Sequence, residues 1–125
     1  MIRALACSLA AIVLLAADLA GTYKGSYSGS AGASGEFQIS LSQSGSDWKA
    51  KVSFDLGGAV KAKVTSVEMD GVKLKVAYQF DFQGATLEST ATGELKGNKF
   101  DGTYQTKSVP DGTAVDQGTW NATRQ

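Results

Sequence analysis

The chain contains no histidine. That absence removes the Ser-His-Asp relay and every His-ligated metal site, because no imidazole base or ligand can be supplied. Its one cysteine, Cys7, lies inside an apolar N-terminal run, so the folded body is expected to hold no thiolate nucleophile or thiolate ligand. What remains for catalysis is a pair of carboxylates, as in glycosidases, which must stand roughly 5–10 Å apart in a cleft. Asp55, Asp81, Glu88, Glu94 and Asp101 fall on the polar side of alternating stretches, and therefore face outward. Asp111 and Asp116 share one loop-like segment, but that segment lacks the dense oxygen-ligand spacing of a calcium loop. Asp111-Gly112 after Pro110 reads as ordinary turn chemistry. The chain is expected to be non-catalytic, with no metal and no cofactor.

Two other sets of residues can bind without reacting. The first combines aromatic bodies with polar tips: Tyr23, Tyr27, Trp48, Tyr78, Ser89, Tyr104 and Trp120, with Thr106 as a further hydroxyl. All share the parity of apolar neighbours, so they are expected to face an interior and to be the ligand-contacting residues of any cavity there. The second set is cationic: Lys49 and Lys51, Lys61 and Lys63, and Lys73 and Lys75 lie on the outward side of three consecutive stretches. They can form a basic patch for a polyanion or a protein partner. They can equally be a solvated outer face that deters sheet-on-sheet association. Asn121-Ala122-Thr123 matches the N-glycosylation pattern, a short motif of little weight.

The elements that would carry these residues are strands. Phe37, Ile39 and Leu41 alternate with polar residues, as do Trp48 to Leu56, Val60 to Val64, and Val72 to Phe82; Leu87 to Leu95 continues more weakly. A period of two marks strands buried on one face. Turn residues separate the runs at Ser44-Gly45, Gly57-Gly58, Asp70-Gly71, Gly84 and Gly97-Asn98. A two-residue loop at Ser44-Gly45 would set Leu41 opposite Trp48, Ile39 opposite Ala50 and Phe37 opposite Val52. A loop over Gly57 to Ala59 would set Leu56 opposite Val60, Phe54 opposite Ala62 and Lys61 opposite Asp55, with Lys73 near Glu68 in the next pair. Parity fails between Val64 and Val67, which predicts a β-bulge near Thr65-Ser66.

One short word recurs at both ends of the chain, as Gly21-Thr22-Tyr23, Gly102-Thr103-Tyr104 and Gly118-Thr119-Trp120. Each copy sets a glycine and an aromatic on the same inward face, where glycine allows close approach and the aromatic fills the space. A first strand over 21–28 is expected to close against a last strand over 117–124. The fold class is then all-β, a small antiparallel up-and-down β-barrel of about eight strands. The segments "GTY", "GELKGNKFDGTY" and "GTWNATR" in sequence resemble the lipocalin and avidin class of small barrels, and a short barrel module of secreted bacterial proteins. That resemblance covers nearly the whole mature chain and implies the architecture alone. Avidins line their biotin site with several tryptophans, whereas this chain has Trp48 and Trp120, so no binding residue is carried over.

Met1-Ile2-Arg3 followed by the apolar run Ala4 to Ala17 has the layout of a secretory signal, too short for a membrane span before Asp18. The expected organisation is a signal peptide over 1–17, with Ala16 and Ala20 as alternative cleavage points, and one domain over 18–125. Cys7 lies within the apolar run rather than after it, which argues against lipidation. Export would end in the periplasm or outside the cell, and the mature chain would fold without a disulfide. The full chain balances 12 basic against 12 acidic residues, so no net charge steers it to nucleic acid or to an anionic membrane. Membrane insertion as an outer-membrane barrel is not expected either, because the outward face is rich in Lys, Asp and Gln. The expected function is a secreted protein holding a small, uncharged, largely apolar ligand inside the barrel. The alternative is a filled barrel acting as an interaction or scaffold module through its lysine-rich face or loops. Both packing of small against large residues and room for a guest fit the inward set.

Overall fold

The computed structural model describes residues 19–125. The proposed signal segment over 1–17 lies outside them. Eight strands follow one another: β1 (Gly21–Gly29), β2 (Ser34–Ser44), β3 (Asp47–Asp55), β4 (Ala59–Asp70), β5 (Lys73–Phe82), β6 (Ala85–Lys96), β7 (Lys99–Ser108) and β8 (Ala114–Arg124). Each pairs antiparallel with the next, and β1 pairs with β8 to close the barrel. Closure satisfies the strand edges that an open meander would leave bare. The alternation in sequence becomes an inside and an outside: Phe37, Ile39 and Leu41 are buried, while Lys49, Lys51, Lys61, Lys63, Lys73 and Lys75 are exposed.

The Gly-aromatic word has a structural meaning in its second and third copies; Tyr23 of the first copy stands opposite Ile39 and Arg124, and Tyr27, four residues on, takes the corresponding place. Tyr27 stands opposite Gly35 on β2, and its hydroxyl reaches past that strand to donate to the Asp55 carbonyl of β3. Trp120 stands opposite Gly102, which in turn faces Gly93; its indole Nε1 donates to the carbonyls of Thr103 and Thr92, at 3.2 and 3.1 Å. Tyr104 stands opposite Gly118, which faces Gly29. In each case an aromatic side chain lies across glycines of neighbouring strands. A Cβ on Gly102 would strike the Thr92 carbonyl, and one on Gly118 the Ser28 carbonyl, so the backbones there approach as only glycine allows.

The two ends of the barrel differ. One end carries the short turns at 45–46, 71–72 and 97–98, together with the start of β1 and the end of β8. Its interior is filled. Tyr23, Ile39 and Phe100 have no exposure, and Tyr23 meets Phe100 edge to face at 4.8 Å. Leu19 packs beneath, accepting a 2.9 Å hydrogen bond from the Tyr23 hydroxyl at its carbonyl. Arg124 covers the Tyr23 ring at 5.9 Å and donates to the Ala20 carbonyl at 2.7 Å. The other end carries residues 30–33, 56–58, 83–84 and 109–113.

Two registers differ from expectation, each by two residues. β2 sets Leu41 opposite Ala50, Ile39 opposite Val52 and Phe37 opposite Phe54, so the turn is Gly45-Ser46. Gly45 has φ +63°, the geometry of a turn whose first central residue is glycine, which moves the loop one residue along. β3 sets Phe54 opposite Val60 and Asp55 opposite Ala59, making the loop Leu56-Gly57-Gly58. Lys61 therefore faces Ser53 rather than Asp55, whose carboxylate instead accepts the Gly58 N–H at 2.8 Å. Lys73 faces Asp70 and Glu94, and Glu68 faces Lys75. The bulge expected near Thr65-Ser66 is present: pairing shifts between Val64 and Ser66. A second shift, between Thr106 and Lys107 of β7, occurs against a β8 that begins at 114 rather than 117. That longer β8 brings Asp116 into register opposite the inward-facing Thr106.

Candidate functional site

Within the end bearing the longer loops the barrel is hollow, with a cavity of about 460 Å³. Strand lengths and loops account for its place. Residues Ala31 to Ala33 and Leu56 form the rim, while the interior of the opposite end is occupied by large side chains. The walls are mostly aromatic. Phe54 forms the hub, with Tyr27 edge-on at 5.9 Å, Phe80 edge-on at 4.8 Å and Tyr78 tilted at 6.0 Å. Trp120 and Phe37, 5.2 Å apart, close the floor above the packed half.

Of the residues singled out from sequence, Tyr27, Tyr78, Ser89, Tyr104 and Trp120 line this cavity, as does Thr106. Tyr23 and Trp48 do not. Tyr23 belongs to the filled end, and Trp48 sits next to the Gly45-Ser46 turn at that same end, half-buried against the core. The strand faces were correct for both residues; their height along the barrel axis separates them from the site.

The polar groups inside are few and accounted for. Ser89 and Thr106 share a hydrogen bond between their hydroxyls, which leaves the pair little need of water. Burial pushes the Tyr78 phenol up, a shift partly offset by the neighbouring Ser89 hydroxyl. Tyr104 is raised as well, first by burial and then by its hydrogen bond to Asp116 and that carboxylate's charge. Burial, followed by the charges of Asp55 and Asp116, raises Tyr27. All three phenols therefore remain neutral donors at ordinary pH.

Asp116, read from the sequence as part of a loop-like segment with Asp111, instead lies in β8 and brings a charge to the cavity. It is half-buried and lines the cavity. Its Oδ2 accepts from the Tyr104 hydroxyl at 2.9 Å, and its Oδ1 accepts from the Ala31 backbone N–H at 3.1 Å. The carboxylate also fills the space a Cβ on Gly29 would need. Three strands and the 30–33 loop thus hold one anion at the rim. Its parity matches Gly118, Trp120 and Ala122, the one signal in the sequence that points to it. Starting the last strand at 117 hides that signal, because the shift between Thr106 and Lys107 interrupts simple strand pairing there.

Chemically, the arrangement offers an aromatic surface, open at one end, whose hydrogen-bond donors are already engaged within the protein, with a single carboxylate at its edge. Comparison with protein-family models yields no match to this chain, and comparison with curated proteins likewise yields none.

Proposed function

We propose that this barrel is a binding protein that holds one small, largely apolar molecule in its open half, without turning it over. The observation that carries this reading is the 460 Å³ cavity itself. Protein interiors pack to crystal-like density and leave few voids larger than a water molecule. A hollow of that size falls within the range of ligand pockets, roughly 300–1,000 Å³. Its lining also favours an apolar guest, since aromatic rings dominate and the hydroxyls of Ser89 and Thr106 satisfy each other. On the reading of residues 1–17 as an export signal, the protein would act in the cell envelope or outside the cell. The avidin-like and lipocalin-like comparison fits this use of a barrel interior, at the level of architecture.

The test is a titration with Nile red, an uncharged dye whose emission rises in apolar surroundings. The protein is expected to saturate with one dye per barrel. Leu87→Trp, which adds bulk to the cavity wall, is expected to weaken binding by about tenfold or more while the melting temperature stays close to the parent's. Emission that does not rise, together with no heat from small aromatic alcohols, amines or acids, would end the carrier reading.

A further inference from the structure

The rim of the cavity carries one charge. Asp116 is the only Asp, Glu, Lys or Arg lining the cavity among the described residues. Its two partners, the Tyr104 hydroxyl and the Ala31 N–H, are neutral donors; they orient the carboxylate and leave its charge uncompensated. Among the described residues the ion pairs are Lys99 with Asp101 and Lys107 with Glu88, and neither includes this group. Next to it stand aromatic rings: Tyr27 and Tyr104 meet edge to face at 6.0 Å, and Tyr27 meets Phe54. Ring faces beside a fixed carboxylate form a receptor for an organic ammonium, which gains from both the ring quadrupole and the anion.

Charge across the whole barrel points the same way. In the half around the opening, Glu36, Asp55, Asp81, Glu88, Asp111 and Asp116 outnumber Lys61, Lys63 and Lys107. The filled half reverses the balance, with Arg124 and seven lysines against fewer acids. The described residues, with 11 side-chain charges of each sign, thereby carry an axial dipole whose negative pole surrounds the opening. Such a field draws cations toward the opening and repels anions.

We propose that the cavity selects an amphiphilic cation, with an apolar body inside the barrel and an ammonium group at the rim beside Asp116. This inference rests on the carrier reading and specifies its ligand class. It departs from the uncharged ligand expected from sequence, because Asp116 lines the cavity.

Three probes share one apolar body and differ only in the head: 4-phenylbutylammonium, 4-phenylbutanol and 5-phenylpentanoate. Calorimetric titration at pH 7 is expected to rank them in that order, with the ammonium about tenfold tighter than the alcohol. Asp116→Asn keeps the side-chain shape and can still bond Tyr104 and Ala31. It is expected to abolish the preference, so that the ammonium binds no more tightly than the alcohol does to the same variant. Should Asp116→Asn not fold, Asp116→Ser gives the same readout. An alcohol that binds as well as the ammonium, or an ammonium preference that survives loss of Asp116, overturns the inference and leaves the carrier reading intact. If neither Nile red nor any of the three probes binds, both fall together.

Discussion

The tyrosines at the opening do two jobs with one group. Their rings make the wall, and their hydroxyls fasten it: Tyr27 to the Asp55 carbonyl and Tyr104 to the Asp116 carboxylate. Burial disfavours the phenolate, so Tyr27, Tyr78 and Tyr104 all have folded pKa values above the ordinary value of about 10. The consequence for stability has a definite sign. Below pH of about 10 the phenols are protonated in both folded and unfolded chains, and their contribution is fully present. As pH rises past that value the unfolded chain loses protons that the folded chain keeps, so stability falls toward the folded pKa values. Urea unfolding at pH 8 and at pH 11 should show a clear loss at the higher pH, and Tyr78→Phe should lose less than the parent. An equal loss in Tyr78→Phe would mean that this phenol does not couple folding to alkaline pH.

At the scale of the elements, the β4 bulge is an instructive case. Val64 and Val67 cannot both face inward on a regular strand, yet both pack against the core, because Val64 pairs with Tyr78 and Ser66 with Ala77, which leaves Thr65 as the extra residue and sets Val67 opposite Val76. Thr65 is exposed, and its hydroxyl donates to the Ala77 carbonyl at 3.2 Å. Deleting Thr65 should therefore preserve every inward and outward assignment in β4 and cost only about 1–2 kcal/mol, through lost local coiling. Deleting Lys75 from β5 should be far worse. It turns half of a strand inside out, exposing either Leu74 or the Val76 and Tyr78 side. Thermal melts of the two deletions give the comparison, and comparable melting temperatures would show that the bulge is as much a structural requirement as the strand. The glycines opposite Tyr104 and Trp120 follow the same logic of coiling, since they let β6, β7, β8 and β1 curve around large side chains.

For the whole molecule, the decisive contact is the seam between β1 and β8, where Tyr23 pairs with Arg124 and Gly29 with Gly118. The ladder continues past the last strand residue, as Gln125 N–H donates to the Thr22 carbonyl at 2.9 Å. In a closed antiparallel barrel that seam is equivalent to any internal hairpin, so the position of the chain break should matter little. A circular permutant joining Gln125 to Leu19 by a short Gly/Ser linker, opened between Gly45 and Ser46, is expected to fold. Its melting temperature should lie within about 10 °C of the parent, and Nile red binding should persist, since the break lies at the filled end. A permutant that folds only weakly would show that the Gly45-Ser46 turn contributes more than the closure does.

Much of this architecture is written in local order. Period-two alternation assigns each side chain to a face, turn glycines punctuate the strands, and a failure of parity marks the bulge at Thr65. These features are legible because they depend only on neighbours along the chain. Even the two register differences, at Gly45-Ser46 and Leu56-Gly58, leave every face unchanged, since a slip of two residues preserves parity. What depends on height along the axis is not legible in this way. Tyr23 and Tyr27 share a face and a strand, yet one belongs to the packed end and the other to the cavity wall. Whether small and large residues interdigitate or leave a hollow is decided by side chains from all eight strands meeting in three dimensions. The seat of Asp116 has the same origin. Its parity was present in the sequence, but its position at the rim required a second register shift and the folding of the 30–33 loop against it.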